Sequence, residues 1–188
     1  MSIRSRRLLV LCTPLGLALP FASAGSARPQ DSRSLQAGRE IPMPAGFKYA
    51  DQPYVVHMDD GSWVCIMSIG TLGEVPGSTN YSIATVSRDK GATWSPFVQC
   101  NTTYAVPLRT ASGRVYSITP QAFTFSDDGG FTWSEKKRVP AYDAPSGWNV
   151  GMPCVLEGVV YVPWAEWNGG KKTVVHFYKS DNLLTEPD

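Results

Sequence analysis

Asp51-Gln52, Asn101 with Thr103, and Trp148-Asn149 offer carboxylate, carboxamide, hydroxyl and indole groups. Asp51, Thr103 and Trp148 each stand ten residues ahead of a glycine: Gly61, Gly113 and Gly158. Hydrogen-bonding groups of these kinds suit sugar hydroxyls, and an indole covers the face of a pyranose ring. The same residue types are equally at home at loop-to-strand junctions, where polar side chains meet water. Regular spacing of this kind calls for a repeated element that holds it.

A second pattern is repeated more strictly. "SRDKGATWS" places Ser87, Asp89, Gly91, Thr93 and Trp94 at set offsets, and "SDDGGFTWS" places Ser126, Asp128, Gly130, Thr132 and Trp133 at the same ones. An Asp side chain accepts hydrogen bonds from backbone N–H groups just ahead of it, and Gly supplies the positive φ of a tight turn. Thr and Trp then open an outgoing strand, the indole packing under the turn. These acids therefore read as internal acceptors of a turn.

Composition narrows the class. The 188 residues fit about one domain, with the apolar and charged fractions of a soluble globular protein. A net charge of +1 gives no electrostatic footprint for nucleic acid. Arg4, Arg6 and Arg7 precede an apolar run from Leu8 to Ala22, followed by Ala22-Ser23-Ala24, which marks residues 1–24 as a signal peptide cleaved after Ala24. Pro14 and Pro20 interrupt the run, so no stable membrane anchor is expected. Ser5-Arg6-Arg7-Leu8-Leu9 resembles a twin-arginine export signal, although paired arginines also occur in ordinary signals. The mature chain is expected to be periplasmic or extracellular. Cys65, Cys100 and Cys154 form no CxxC pair, so neither a metal nor another cofactor is implied. Cys65 and Cys154 lie in apolar strand patterns and read as core residues.

Residues 25–45, rich in Pro, Gly and Ser, read as a linker or leading arm. Beyond them the chain is all-β: short β-branched and aromatic runs bounded by turn residues, with no sustained helical period. "PYVVHMDDGSWVCIM", "YAVPLRTASGRVYSI" and "GMPCVLEGVVYVPW" are three hairpins, their turn glycines separated by 52 and 45 residues. "YSIATVS" and "QAFTFS" follow the first two and lead into the repeated turns, whereas "KTVVHFYKS" follows the third and leads into "SDNLLTEPD". Units of about 40–50 residues with about four strands each predict β-propeller blades.

The doubled S-x-D-x-G-x-T-W, at 87–94 and 126–133, in four-strand units resembles the Asp-box of the sialidase (neuraminidase) superfamily. The resemblance covers residues 46–188 and implies a six-bladed propeller of which about three blades are present, with exo-α-sialidase-like hydrolysis of terminal sugars on glycans. It also implies that the boxes lie at outer hairpin turns, with Trp94 and Trp133 largely buried, and that the leading residues of each blade's first strand face the central funnel. Gln52, Asn101, Thr103, Trp148 and Asn149 are then substrate-binding candidates. By loop position Glu74, in "GTLGEVPGSTN", corresponds to the family's acid, with Asp51 at the funnel mouth as the rival candidate.

The chain departs from the family where an Arg-Ile-Pro is expected, for it has Asp51-Gln52-Pro53, while Arg39-Glu40-Ile41-Pro42 comes twelve residues earlier. The family's nucleophilic Tyr, its partner Glu and two further arginines would come from later blades. Two expectations follow: a glycoside hydrolase inactive in this portion alone, or a non-catalytic carbohydrate-binding or scaffold propeller. Blades one and three should present open faces through which copies associate.

Overall fold

The alternation of apolar runs and Gly-bearing turns produces, among the described residues, twelve strands in three antiparallel sheets. The computed structural model describes residues 40–73, 75, 77–139, 147–166 and 174–184, all within the compact unit Ala37–Asp188. The expected signal peptide, most of the leading arm and Glu74 lie outside the described residues. Among the described residues there is no helix, and hence none long and apolar enough to cross a membrane, which leaves strand-built crossings aside.

The first sheet runs in the order β1 (Tyr49–His57), β2 (Trp63–Gly70), β3 (Asn80–Ser87) and β4 (Val98–Gln99). The second repeats that meander with β5 (Val106–Arg109), β6 (Val115–Ile118), β7 (Ala122–Ser126) and β8 (Lys137–Arg138). In the third, β9 (Gly147–Asn149) and β10 (Cys154–Leu156) both pair with β11 (Val159–Glu166), which then pairs with β12 (Val174–Ser180). Residues 150–153 leave this ladder between β9 and β10. Pro153, which has no N–H to donate, stands at the break.

The near-continuous apolar run of β2 is buried on both faces, as strands covered on each side require. One face, carrying Val64 and Val86, packs with Val115 of the second sheet and with Phe131 and Trp133. The other carries Cys65, Met67, Ile69 and Ile83 and is covered by Ile41, Met43, Phe47, Trp94 and Phe97. The first sheet's outer face, expected to be open, is therefore closed by the end of the leading arm and by the sheet's own turn. The third sheet differs, since Leu156, Val175 and Phe177 are 61%, 53% and 69% exposed. Cys154 is exposed as well, contrary to its expected place in the core. By register it shares the outward face with Tyr161 and Lys179, a face covered at Pro163 and Ala165 but open at Cys154, Leu156, Val175 and Phe177.

Both repeated turns join a third strand to a fourth. In the first, Ser87 Oγ accepts the Gly91 N–H at 2.7 Å and donates to Asp89 Oδ1 at 2.9 Å. Asp89 then accepts the Thr93 N–H and O–H, each at 2.7 Å. Ser126, Asp128, Gly130 and Thr132 reproduce the set at 2.6–2.9 Å. The Thr93 hydroxyl and N–H hold the Asp89 carboxyl down at about 2. Burial pushes Asp128 upward, but its bonds from Thr132 and Ser126 outweigh this and leave it below the ordinary carboxyl value. Trp94 and Trp133 are half-buried rather than enclosed. Each lies along the edge of its core cluster, and Trp133 Nε1 donates to the Gly130 carbonyl at 3.2 Å.

Candidate functional site

Strand register fixes which ends of the strands can share a site. Tyr49 is level with Gly70 and Asn80, whereas His57 is level with Trp63 and Ser87. The repeated turns, which follow Ser87 and Ser126, thus lie at the opposite end of the strands from Asp51, and the start of β1 is free to face other groups.

That start is irregular. The ladder between β1 and β2 shifts register between Asp51 and Tyr54, and Gln52 takes a left-handed backbone with φ 54°. A non-glycine residue in that region is locally strained, a condition that neighbouring contacts must hold in place. Here the Asp51 carboxylate holds it, Oδ1 accepting the Gln52 N–H at 2.7 Å and Oδ2 accepting the Tyr49 hydroxyl at 2.9 Å. Gln52 Nε2 then reaches across to the Asn149 carbonyl at 3.1 Å.

Asn149 is the junction of three sheets. Its side chain is fully buried. Its Oδ1 accepts the Tyr54 hydroxyl at 3.2 Å, and its Nδ2 donates to the Tyr104 carbonyl just ahead of β5. The Tyr104 hydroxyl accepts from Asn80 Nδ2 at 2.7 Å, bringing in the start of β3. Burial, aided by the Asp51 charge, raises the Tyr54 phenol above its ordinary value and keeps it a proton donor.

Two groups beside this junction have unmet capacity. Gln52 Oε1 and Trp164 Nε1 are buried without a hydrogen-bond partner. Gln52 is bonded to Asn149, and Trp164 is Asn149's register partner on β11. A close approach makes this possible: a Cβ on Gly147 would sit 2.6 Å from Trp164 Nε1. Gln52 Oε1 is a buried acceptor and Trp164 Nε1, beside Gly147, a buried donor, and each can take a hydrogen bond from or to a hydroxyl.

The sequence candidates are distributed around the junction as follows. Gln52 and Asn149 meet, Asp51 supports Gln52 from the same strand, and Trp148, half-buried, precedes Asn149 on β9. Thr103 Oγ1 donates to the Asn80 carbonyl at 3.4 Å, beside Tyr104. Asn101 is held elsewhere, its Nδ2 donating to the Ser134 carbonyl at 3.3 Å after the second repeated turn.

Tyr54, Tyr104, Asn80 and Trp164 are the contributors that counting back from turn glycines missed. Also missed was a carboxylate–imidazole pair, Glu166 Oε2 to His176 Nε2 at 3.0 Å, one row beyond Trp164. The alternation in β11 and β12, which puts Trp164, Glu166, His176 and Tyr178 on one face, was the available signal. Among the described residues no three His, Cys, Asp or Glu side chains gather where a metal could be held.

No family model matches the chain, and no curated protein matches it. Among solved structures it is similar to the Hadza microbial sialidase Hz136, at 15% identity and a TM-score of 0.55. That match covers 71% of this chain and 35% of the sialidase. It is also similar to a protein of unknown function from Dyadobacter fermentans DSM 18053, at 14% identity and a TM-score of 0.45, covering 70% of this chain and 38% of that one. The chain thus spans about a third of the length of the solved structures it resembles. At this identity the likeness is one of fold: three antiparallel sheets of the kind found in a sialidase.

Proposed function

We propose that the chain supplies the first three blades of an exported, six-bladed sialidase-like propeller that acts as an exo-glycosidase on terminal sugars of glycans. What carries the reading is the junction at Asn149, where groups from three sheets converge and Gln52 Oε1 and Trp164 Nε1 stand buried and unpartnered. A sugar hydroxyl both donates and accepts, so it can satisfy an amide oxygen or an indole N–H of this kind.

In this reading Glu74 protonates the leaving oxygen. Asp51, the rival candidate, orients Gln52, its Oδ1 accepting the Gln52 N–H and its Oδ2 the Tyr49 hydroxyl. A Tyr nucleophile and its partner Glu belong to later blades, as the family resemblance implies, so this portion alone binds without turnover. The bare outward face of the third sheet is where copies of this portion associate.

One observation favours a second reading, a non-catalytic glycan-binding propeller. Asp51 stands where the resembled enzymes carry an arginine for the sialic-acid carboxylate. A carboxylate there repels that ligand by about 1 kcal/mol or more at contact in a partly wet site, and favours a neutral sugar.

Saturation-transfer NMR on the 188-residue chain, with N-acetylneuraminic acid and with galactose, tests the binding end; binding should weaken in Gln52→Ala. A fluorogenic sialoside and neutral aryl glycosides, given to this chain and to a full-length relative, test the chemistry. Turnover confined to the full-length protein supports the hydrolase. A silent full-length protein that still binds sugar supports the binding module. Turnover by the short chain, lost in Glu74→Gln, would overturn the claim that this portion is inactive.

A further inference from the structure

The two seams between sheets are filled differently. In the first, Phe131 and Trp133 pack against Val64, Val86 and Val115, and a Cβ on Gly130 would lie 2.8 Å from Val64. The corresponding turn after β12 keeps its opening hydrogen bonds: Ser180 Oγ donates to Asn182 Oδ1 at 3.0 Å and accepts the Leu183 N–H at 3.1 Å. At the offsets of Phe131 and Trp133, however, the sequence has Thr185 and Pro187. Leu183 and Leu184 pack on the shared core of the second and third sheets, and no aromatic ring of the turn joins them.

A cavity of about 770 Å³ lies in this second seam, a size typical of small-molecule sites. Its floor is apolar, with Tyr116, Ile118 and Phe123 from the second sheet facing Val160, Val162 and Tyr178 from the third. Lys137 and Arg138 stand at its margin. Lys137 is Phe123's register partner, and its ammonium lies 5.3 Å from the centre of the Phe125 ring. Neither cation has a carboxylate partner among the described residues, whereas Asp181, the acid on the margin, lies 3.9 Å from Lys179. An ammonium over the Phe125 ring, beside an apolar hollow, complements a ligand with an apolar body and one negative charge.

We propose that the seam between the second and third sheets is a binding site for a small aromatic carboxylate, its ring on the Tyr116 and Val160 side and its carboxylate at Lys137. The site is separate from the Asn149 junction and does not depend on the glycan reading.

Calorimetric titration of the 188-residue chain with 2-naphthoate and with neutral 2-naphthamide tests it. Naphthoate should bind one to one, about tenfold more tightly than the amide, and Lys137→Gln should remove that preference while leaving amide binding unchanged. Val162→Trp, which fills the hollow, should abolish binding of both. Because that variant could instead misfold, NOEs from naphthyl protons to Val160 and Val162 methyls in the unsubstituted chain provide a second readout. Equal affinity for acid and amide, a preference unaffected by Lys137→Gln, absence of binding, or NOEs to other residues would each overturn the proposal.

Discussion

Replacing Asn149 with Ala is the sharpest test of the three-sheet junction. The side chain is fully buried, and its loss leaves the Tyr54 hydroxyl and the Tyr104 carbonyl without the partners they now have. Each buried polar group so abandoned costs about 1–3 kcal/mol. The Gln52 bond to the Asn149 carbonyl uses backbone and survives the change. The expected total is therefore about 2–6 kcal/mol, a large fraction of an ordinary domain's stability. Urea unfolding of Asn149→Ala, Tyr54→Phe and the double variant closes a cycle. The two side chains touch, so their effects should be non-additive by about 0.5–1.5 kcal/mol, the double variant costing less than the sum. A cost below about 0.5 kcal/mol for Asn149→Ala, or additivity within about 0.3 kcal/mol, would show that the junction is no keystone.

Adjacent glycines separate backbone strain from crowding. Gly129 and Gly130 have φ of 76° and 98°, but a Cβ on Gly129 meets nothing within 4 Å, whereas one on Gly130 comes 2.8 Å from Val64. Gly129→Ala should cost about 1 kcal/mol and Gly130→Ala about 2–4 kcal/mol by urea unfolding, so equal costs would remove the close approach. Asp89, with its carboxyl held near 2 in the fold against an ordinary 3.8, contributes stability that is present above pH 4 and lost as pH falls toward 2. Melting temperature should drop through that window, and Asp89→Asn should start lower and drop less; an unchanged slope would detach the turn from acid unfolding. The proposed association through the exposed face of the third sheet predicts a dimer in sedimentation that Phe177→Glu returns to monomer; a monomer before substitution, or an unshifted dimer after it, would refute the contact.

The sheets were legible because their core strands carry unambiguous patterns. "WVCIMSIG" is apolar without alternation, the mark of a strand covered on both sides, and it became β2, buried throughout. The repeated turns were legible for a different reason, since each residue type in them answers a local hydrogen bond or φ requirement. Cys154 was misread because "GMPCVL" looks apolar and continuous, whereas the strand breaks at residues 150–153 and resumes as β10, exposed throughout. Counting back from turn glycines gives Asp51, Thr103 and Trp148, and only their neighbours Gln52 and Asn149 meet in the structure. It could not find Tyr104 or foresee the register shift after Asp51, since a left-handed φ at Gln52 or Tyr104 leaves no mark in composition.

The two outward faces of the three-sheet stack differ in a way that governs how copies can meet. Continuing the stack with a second copy would set the bare face of one third sheet against the outer face of another's first sheet. That outer face is already closed by Ile41, Met43 and Phe47, with Cys65, Met67 and Ile69 almost wholly buried beneath them. Removing this cover would expose several large side chains, each worth about 1.5–3 kcal/mol when buried, so head-to-tail growth begins at a deficit. The bare face, with Leu156, Val175 and Phe177 exposed, carries no such cost. It can meet a like face around a two-fold axis, and such a contact is self-complementary and ends at two copies instead of propagating. A further sheet laid on the same surface would compete with that pairing, and the surface of the Asn149 junction would be left free by either.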